Sequence, residues 1–192
     1  MSNITAVKGD TEHVTLGACD IYLAEYAGES EFDIEAMVAQ EDNYFGNTQG
    51  GTTLEYTPST YTVEDDKGRV RRTFQTKADA TLKTGLLTYT LETLSRTLSV
   101  GQFSANGGKP KLTLPGGKAT LKRKAVVAVY TDDETGDKTM VGIVATNTGA
   151  LSMAYAKDKE TVPEITFTAV SNGKDDVLVT ILEIPKTAQS GT

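Results

Sequence analysis

The 192-residue sequence has little of what enzymes and metalloproteins use for chemistry. It contains one histidine, one cysteine and no tryptophan. A lone cysteine cannot form an intrachain disulfide, and one His with one Cys excludes the usual zinc sites. Cys19 lies in an apolar segment, where it is typical of a small core residue. His13 has no evident Ser or Cys partner, so we do not expect it to act as a catalytic base.

Long hydrophobic runs are also missing. No apolar stretch approaches the roughly 18 residues of a membrane span, and the first ten residues lack the basic start and apolar run of a signal peptide. We therefore expect a protein that is made in a cytoplasm and does not contact a membrane. The Gly-Gly pairs precede no phosphate-binding helix. The sequence thus predicts neither an enzyme nor a cofactor.

The charge balance is acidic, with a formal net charge of −7. Such a chain is not expected to grip nucleic acid by neutralising phosphates. Lys122–Lys124 is a brief basic run, which alone is weak evidence for nucleic-acid contact.

What the chain does contain favours strands and turns, with 8 Tyr, 18 Gly and many Thr. Its length suggests one domain, which we place at residues 1–185, followed by a flexible tail at 186–192. The pattern predicts a mainly β protein, an antiparallel β-sandwich or partly closed barrel with one flanking α-helix and two long β-hairpins.

The remaining elements follow from periodicity. Apolar residues recur at helical spacing over Leu87–Ser99, a helix that Thr88 or Thr90 would cap. A second, short helix is predicted within residues 31–40, inside a long connection at 27–50. The other predicted strands are Glu12–Tyr26, Lys111–Leu114, a central strand in Leu121–Thr131, Thr139–Thr146 and a buried closing strand in Asp176–Ile184.

The longest feature is a hairpin over Gly51–Thr84, with its turn at Asp65–Gly68. The second arm alternates cleanly, which predicts one buried and one polar face. The first arm changes parity at Pro58–Thr60, so we expect a bulge there. On the second arm we place Val70, Phe74, Ala78, Ala80 and Leu82 on one face, and Arg71, Thr73, Gln75, Lys77, Asp79, Thr81 and Lys83 on the other.

A second amphipathic hairpin is predicted from two later segments. Leu151, Met153 and Tyr155 alternate with small residues over 150–156, and Ile165, Phe167 and Ala169 alternate with polar residues over 164–170. A charged turn at residues 157–162 would join the two arms.

Several segments, in their order along the chain, resemble the major tail tube proteins of siphophages. They are TLGACDIYLAEY (15–26), FGNTQGGTTLEYTP (45–58), VRRTFQTKADATLKTGLLTYTLETL (70–94) and NTGALSMAYAKDKETVPEITFTAV (147–170). The resemblance covers most of residues 12–184. It is carried by the succession of segments, since no single motif is diagnostic.

The resemblance implies a structural protein of a phage or prophage virion, made in the bacterial host cytoplasm. Six copies would form a ring, and stacked rings would form the non-contractile tail tube that conducts double-stranded DNA during ejection. The implied partners are copies of the same chain, the tape measure protein and DNA in the lumen, and the tail tip and terminator proteins. The two hairpins, Gly51–Lys83 and Asn147–Val170, would join those of neighbouring subunits in an inner barrel.

The same resemblance assigns candidate residues. The connection at 27–50 would be an arm that reaches a neighbouring subunit, with Phe32, Met37, Tyr44 and Phe45 as contacts. The candidate lumen-facing residues are Glu55, Thr57, Thr62, Glu64, Arg71, Thr73, Gln75, Lys77, Asp79, Thr81, Ser152, Glu164, Thr166 and Thr168. Tail tube lumens are expected to be acidic, and Arg71 and Lys77 depart from that pattern. Pairing across the strands with Glu55 or Glu64 would leave a mixed, slightly negative lumen.

Three other classes compete with this interpretation. A tube protein of a contractile injection machine or a tail-terminator ring would share the ring plan, and polymer length separates them, because a terminator forms single rings. A monomeric β-sandwich binding module would carry clustered exposed aromatic residues, whereas the tyrosines here are dispersed. An enzyme would need a catalytic constellation that the sequence lacks.

Overall fold

The computed structural model describes residues 18–28, 32–69, 71–133, 135–155, 157, 158, 160–172 and 176–186. His13, Val70, the start of the first predicted strand and the predicted tail beyond Lys186 lie outside these described residues. The elements are β1 (Asp20–Glu25), α1 (Ile34–Val38), a 3₁₀ turn (Glu41–Asn43), β2 (Thr48–Glu64), β3 (Arg71–Leu86), α2 (Leu91–Thr97), β4 (Gln102–Asn106), β5 (Lys109–Thr113), β6 (Lys124–Thr131), β7 (Lys138–Asn147), β8 (Glu164–Ala169) and β9 (Val179–Ile184).

The chain is mainly β, as the sequence predicts, and its strand pairs are antiparallel. Seven strands form one sheet in the order β1-β6-β7-β8-β3-β2, with β9 paired to β7 beside β8, while β4 and β5 form a separate ribbon. The first and last strands of this order, β1 and β2, approach each other where the Thr48 hydroxyl donates to the Cys19 carbonyl at 3.1 Å. The sheet therefore curls towards a barrel.

Two apolar clusters lie on opposite faces of this sheet. The larger combines Ile21, Leu82 and Phe167 with Leu94 of α2. The smaller lies on the other face, where Ile34 and Met37 of α1 cover Val127 and other residues of β1, β6 and β7. Strand β6 is buried on both faces because it serves both clusters, which confirms the predicted central strand.

Both helices begin at side-chain caps. The Asp33 carboxylate accepts from the Ala36 amide at 3.0 Å and starts α1 within the predicted segment. Thr90 and Thr93 form a reciprocal capping box at the start of α2, which confirms Thr90 as the cap. The predicted helix at Leu87–Ser99 is too long at its start, because the cap fixes the first turn at Leu91 and leaves Leu87 outside.

Two strands differ from their predictions. Strand β9 is paired only with β7, and Ile181 is 61% exposed, so it is an edge strand and not a buried one. Its apolar sequence indicated burial, but the topology places no second neighbour beside it among the described strands. Strand β4, which the sequence did not predict, pairs with β5 through a turn at Gly107 and Gly108, whose φ angles are +63° and +73°.

The second predicted hairpin forms only one of its two arms. Strand β8 is present and buries Ile165 and Phe167, but residues 150–155 form no strand. Leu151 and Met153 instead pack against the larger cluster as part of a loop. Alternation alone did not distinguish the two arms, because β8 lies between β3 and β7 whereas the loop has no strand beside it to pair with.

Candidate functional surface

The β2–β3 hairpin consists of two halves with different surroundings. The inner half, Thr48–Pro58 with Ala78–Leu86, packs on the core and buries Ala80, Leu82 and Leu86. The outer half, Ser59–Glu64 with Arg71–Lys77, is paired strand to strand, yet every residue in it is exposed. The outer half is thus a two-stranded ribbon that extends beyond the folded body.

Among the strands that the structure describes, none lies beside either edge of the ribbon. Strand β3 pairs with β8 only over Thr81–Gly85, so its edge from Arg71 to Ala80 is open among the described strands. An open cleft of about 600 Å³ lies there, between residues 75–78 of β3 and residues 176–179 before and in β9. Unpaired edges of this length are templates for further strands.

A β-bulge divides the hairpin close to the predicted position. Ser59 pairs with Lys77 and Thr60 with Gln75, so Thr76 is the extra residue. The predicted bulge is therefore present opposite Ser59 and Thr60, but the predicted parity change of the first arm is wrong, because the added residue lies on the second arm and β2 keeps its alternation. Because one extra residue reverses the alternation of the strand that contains it, β3 changes faces at Thr76.

The bulge corrects the prediction that Arg71 to Lys83 present one polar face. Gln75 Nε2 donates to Tyr56 Oη at 3.2 Å, which places Gln75 on the face of Tyr56. Tyr56 pairs with the buried Ala80, so that face is the core side of the inner half. The predicted lumen residues thus separate into two groups on opposite pleat faces.

The first group continues across three strands and is called here the wall face. Cross-strand pairing joins Glu55 to Thr81 and Thr57 to Asp79, while β8 adds Thr168 opposite Thr81 and Thr166 opposite Lys83. These residues alternate with the buried Ala80, Leu82, Ile165 and Phe167, so they point away from the core. The wall face consists of Glu55, Thr57, Lys77, Asp79, Thr81, Lys83, Glu164, Thr166 and Thr168.

The second group lies on the outer half, beyond the bulge. It consists of Thr62, Glu64, Arg71, Thr73 and Gln75. Thr62 pairs with Thr73, and their hydroxyls lie 3.0 Å apart. Glu64 lies opposite Arg71 in the register. The same strands carry exposed apolar residues on the other pleat face, Tyr61 opposite Phe74, which are 62% and 52% exposed.

Ion pairs balance most of the charge on the wall face. Lys77 Nζ lies 2.8 Å from Asp79 Oδ1 along the same strand, and Lys83 Nζ lies 3.8 Å from Glu55 Oε2 across the pair. Lys77 therefore does not pair with Glu55 or Glu64 as expected. Three carboxylates and two amines occupy the face, interspersed with threonine hydroxyls that carry no charge.

Ser152 is placed apart from these strands. It is exposed in the loop between β7 and β8. The loop is tied to β8 at its start, where the Thr148 and Thr168 hydroxyls lie 2.6 Å apart, and Thr161 Oγ1 donates to the Ala154 carbonyl at 2.6 Å.

The connection at 27–50 is largely packed onto its own subunit. Met37 and Phe45 are buried, Met37 in the smaller cluster and Phe45 in the larger one. Phe32 is half-buried against the smaller cluster, and Tyr44 stacks edge-on to Tyr22 with ring centroids 5.8 Å apart. The sequence indicated contact residues here because the segment is long. Its apolar members instead wrap it around the β1 edge, so Met37 and Phe45 are unavailable to a neighbouring subunit.

Comparisons with known proteins give no independent family assignment. No protein-family model matches the sequence, and no curated protein matches it either. Within the described ranges, no helix is both long enough and apolar enough to cross a membrane. The features that bear on function are therefore the hairpin, the wall face and the sequence segments that resemble tail tube proteins.

Proposed function

We propose that this protein is the structural subunit of a long non-contractile phage tail tube, in which stacked hexameric rings conduct double-stranded DNA. The observation that carries the proposal is the outer half of the β2–β3 hairpin. It is a two-stranded ribbon whose two faces are exposed and whose two edges have no neighbour among the described strands.

Such a ribbon is poorly stabilised by itself. A two-stranded hairpin is marginally stable in water unless further strands or a helix cover it. Tyr61 and Phe74 add exposed aromatic surface that favours a partner. Joining the ribbons of neighbouring subunits into a closed barrel would pair both edges and remove the aggregation hazard that open edges create.

The wall face has the chemistry that a DNA channel needs. DNA must slide without being held, so a surface facing it should be polar and should not be cationic. The wall face, which ends at the bulge, meets both conditions, because its lysines are paired with carboxylates and the remaining positions are mostly threonine. Beyond the bulge the same side of the ribbon carries Tyr61 and Phe74, which we assign to contacts between subunits. We place this face on the lumen, in contact with the tape measure protein before ejection and with DNA during it. No catalytic role is proposed.

Electron microscopy of the purified protein tests the assembly. We expect tubes of indefinite length with a central channel, formed at high protein concentration or on addition of tail-tip nuclei. Single rings would favour a terminator, and solid filaments without a channel would contradict the proposal.

Thiol labelling tests which surface lines the channel. On a Cys19→Ser background, Thr57→Cys on the wall face and Asp133→Cys in the exposed turn between β6 and β7 form a matched pair. In assembled tubes we expect a polymer-linked maleimide, too large to enter the channel, to label Asp133→Cys but not Thr57→Cys, while a small maleimide labels both. Equal labelling of both variants by the large reagent would show that the wall face is on the outside.

A further inference from the structure

Charge is unevenly distributed along the sequence, and parts of an acidic block and of a basic block lie on opposite sides of the folded subunit. Residues 9–66 contain fourteen Asp and Glu and no Lys or Arg, whereas residues 67–124 contain thirteen Lys and Arg and two acidic residues. Residues 32–43, which include α1, carry part of the acidic block, and residues 96–122, which begin at the end of α2, carry part of the basic block. The two helices pack on opposite faces of the seven-stranded sheet.

The acidic surface consists of Asp33, Glu35, Glu41 and Asp42, all exposed. These residues belong to α1 and the 3₁₀ turn, whose buried members hold the segment against the sheet. Within the described part of the chain, no Lys or Arg lies within ion-pair distance of these four carboxylates. Their charge is therefore directed at solvent or at another molecule.

The basic surface consists of Lys109, Lys111 and Lys122, with Arg96 half-buried beside Lys122, where its guanidinium donates to the Leu23 carbonyl at 2.8 Å. Lys109 and Lys111 lie on the outward face of the β4–β5 ribbon, whose inward Leu112 packs against the larger cluster beside α2. Lys122 joins them because its amide donates to the Ser99 carbonyl at 2.9 Å, just after α2. Exposed Leu114 and Leu121 lie in the same segment, so apolar area accompanies the charge.

Only part of the basic surface is neutralised from within the subunit. Glu25 accepts from Lys122 at 3.3 Å and from the buried Lys124 at 3.2 Å. Among the described residues, Lys109 and Lys111 have no carboxylate within ion-pair distance. Glu92, in the first turn of α2, is the acidic residue nearest to these two lysines along the chain.

We propose that the acidic surface of one copy binds the basic surface of the next copy, as a head-to-tail contact of this chain with itself. Two complementary surfaces on opposite sides of one subunit make a heterologous interface, which propagates into rings or filaments. A second copy is the favoured occupant because both charge signs, each unpaired, occur on the same molecule. The contact deepens the proposed function by naming a subunit interface distant from the channel wall.

Charge reversal in two variants tests the contact. Variant one carries Lys109→Glu and Lys111→Glu, and variant two carries Glu41→Lys and Asp42→Lys. The carboxylates of Glu41 and Asp42 take part in no described hydrogen bond, and variant two leaves Asp33, which caps α1, unchanged. Each variant alone should self-associate on the order of tenfold more weakly than wild type in sedimentation velocity, because attraction becomes repulsion. An equimolar mixture should recover association, since every contact then joins opposite charges. Lys157→Glu with Lys186→Glu, which has the same net charge as variant one, should behave as wild type.

Ionic strength provides a second readout on the unmodified protein. Raising NaCl from about 0.05 M to about 0.5 M shortens the Debye length from roughly 14 Å to roughly 4 Å, so association should weaken. Wild type that is monomeric at low salt, or a mixture of folded variants that does not associate, overturns the contact. A different outcome is that the protein binds duplex DNA through Lys109 and Lys111 and shows no salt-sensitive self-association. The partner of the basic surface would then be a polyanion and not a second copy of the chain.

The outcomes also separate this contact from the tube itself. Channel-containing tubes that form equally well from both reversal variants would retain the proposed function and reject this interface. Salt-sensitive, head-to-tail oligomers without a channel would retain the interface and reject the tube.

Discussion

The two halves of the β2–β3 hairpin have similar strand sequences and the same antiparallel pairing, but different surroundings. The inner half is held by packing, since Leu82 and Leu86 are almost fully buried against Phe167 and other core residues. The outer half keeps the antiparallel pairing of β2 with β3, but all of its side chains are exposed. Pairing therefore defines the shape of the whole hairpin, while burial stabilises only the part nearest the body. The following predictions separate the two contributions.

The largest effect is expected from Leu82→Ala in the inner half. Leu82 is 1% exposed, and truncating such a side chain leaves a cavity, so the free energy of unfolding should fall by about 2–5 kcal/mol. Urea unfolding of the monomer measures it. Val63→Ala is the matched change in the outer half, where Val63 is 48% exposed, and it should alter stability by less than about 0.5 kcal/mol. Equal losses for both variants would remove the distinction between the halves.

Gly85→Ala tests the close backbone approach at the base of the inner half. An added methyl group at Gly85 would overlap the Gln49 carbonyl oxygen, opposite the bulge at Gly50 and Gly51. Backbone cannot move aside as easily as a side chain, so we expect a loss of about 1–3 kcal/mol in unfolding free energy. Gly116→Ala is the control, because nothing lies within 4 Å of its added methyl. A stable Gly85→Ala protein would mean that β2 and β3 separate there at little cost.

Glu25→Gln tests the carboxylate that pairs with the buried ammonium of Lys124 at the packed end of the sheet. The Lys124 side chain is 4% exposed and its ammonium donates to Glu25, and this hydrogen bond, followed by that from Lys122, lowers the pKa of Glu25. Glu25 is itself 69% exposed and screened by solvent, so we expect a loss of only about 1 kcal/mol at neutral pH.

The pH dependence gives the sign of this effect. Because the pKa of Glu25 is lower in the folded state, its contribution is present above its ordinary value of 4.5 and is lost as the pH falls through the folded value. The difference in unfolding free energy between wild type and Glu25→Gln should therefore shrink below about pH 4.5. A difference that stayed constant down to acid pH would exclude the carboxylate as its source.

The smallest effect on stability is expected from Tyr61→Ser combined with Phe74→Ser in the outer half. Both side chains are more than half exposed, so monomer unfolding should change by less than about 0.5 kcal/mol. Assembly, followed by light scattering, should nevertheless require a higher protein concentration, because the exposed aromatic area is lost. Tyr61→Phe with Phe74→Tyr keeps that area and is the control. Unchanged assembly of the serine variant would show that the outer half makes no subunit contact.

Much of the fold follows from local patterns in the sequence. The hairpin, its turn at Asp65–Gly68, the central strand β6, the strand β8 and the Thr90 cap are each specified by residues close together in the chain. The paired members of the wall face were also identified, because alternation beside the buried Ala80 and Leu82 marks their partners as outward-facing. Two predictions that depended on which strands lie side by side were wrong. Strand β9 was predicted to be buried and is an edge strand, and residues 150–155 were predicted to form a strand and do not.

The connection at 27–50 shows why length is a poor guide to contacts. Its apolar residues were assigned to a neighbouring subunit, but Phe45 donates its backbone amide to the Ile21 carbonyl at 2.9 Å and is buried beside it. The charge blocks before and after residue 66 were visible in the sequence. Their placement on opposite faces was not, because it depends on which side of the sheet α1 and α2 occupy.

The sequence by itself determined that this chain is an antiparallel β protein with a long amphipathic hairpin, because side-chain alternation and turn residues are local properties. Tertiary structure decided where that hairpin leaves the core, which face changes at Thr76, and which charges are left unpaired. Those features depend on contacts between residues far apart in the chain, and the periodicity of a single strand contains no information about them.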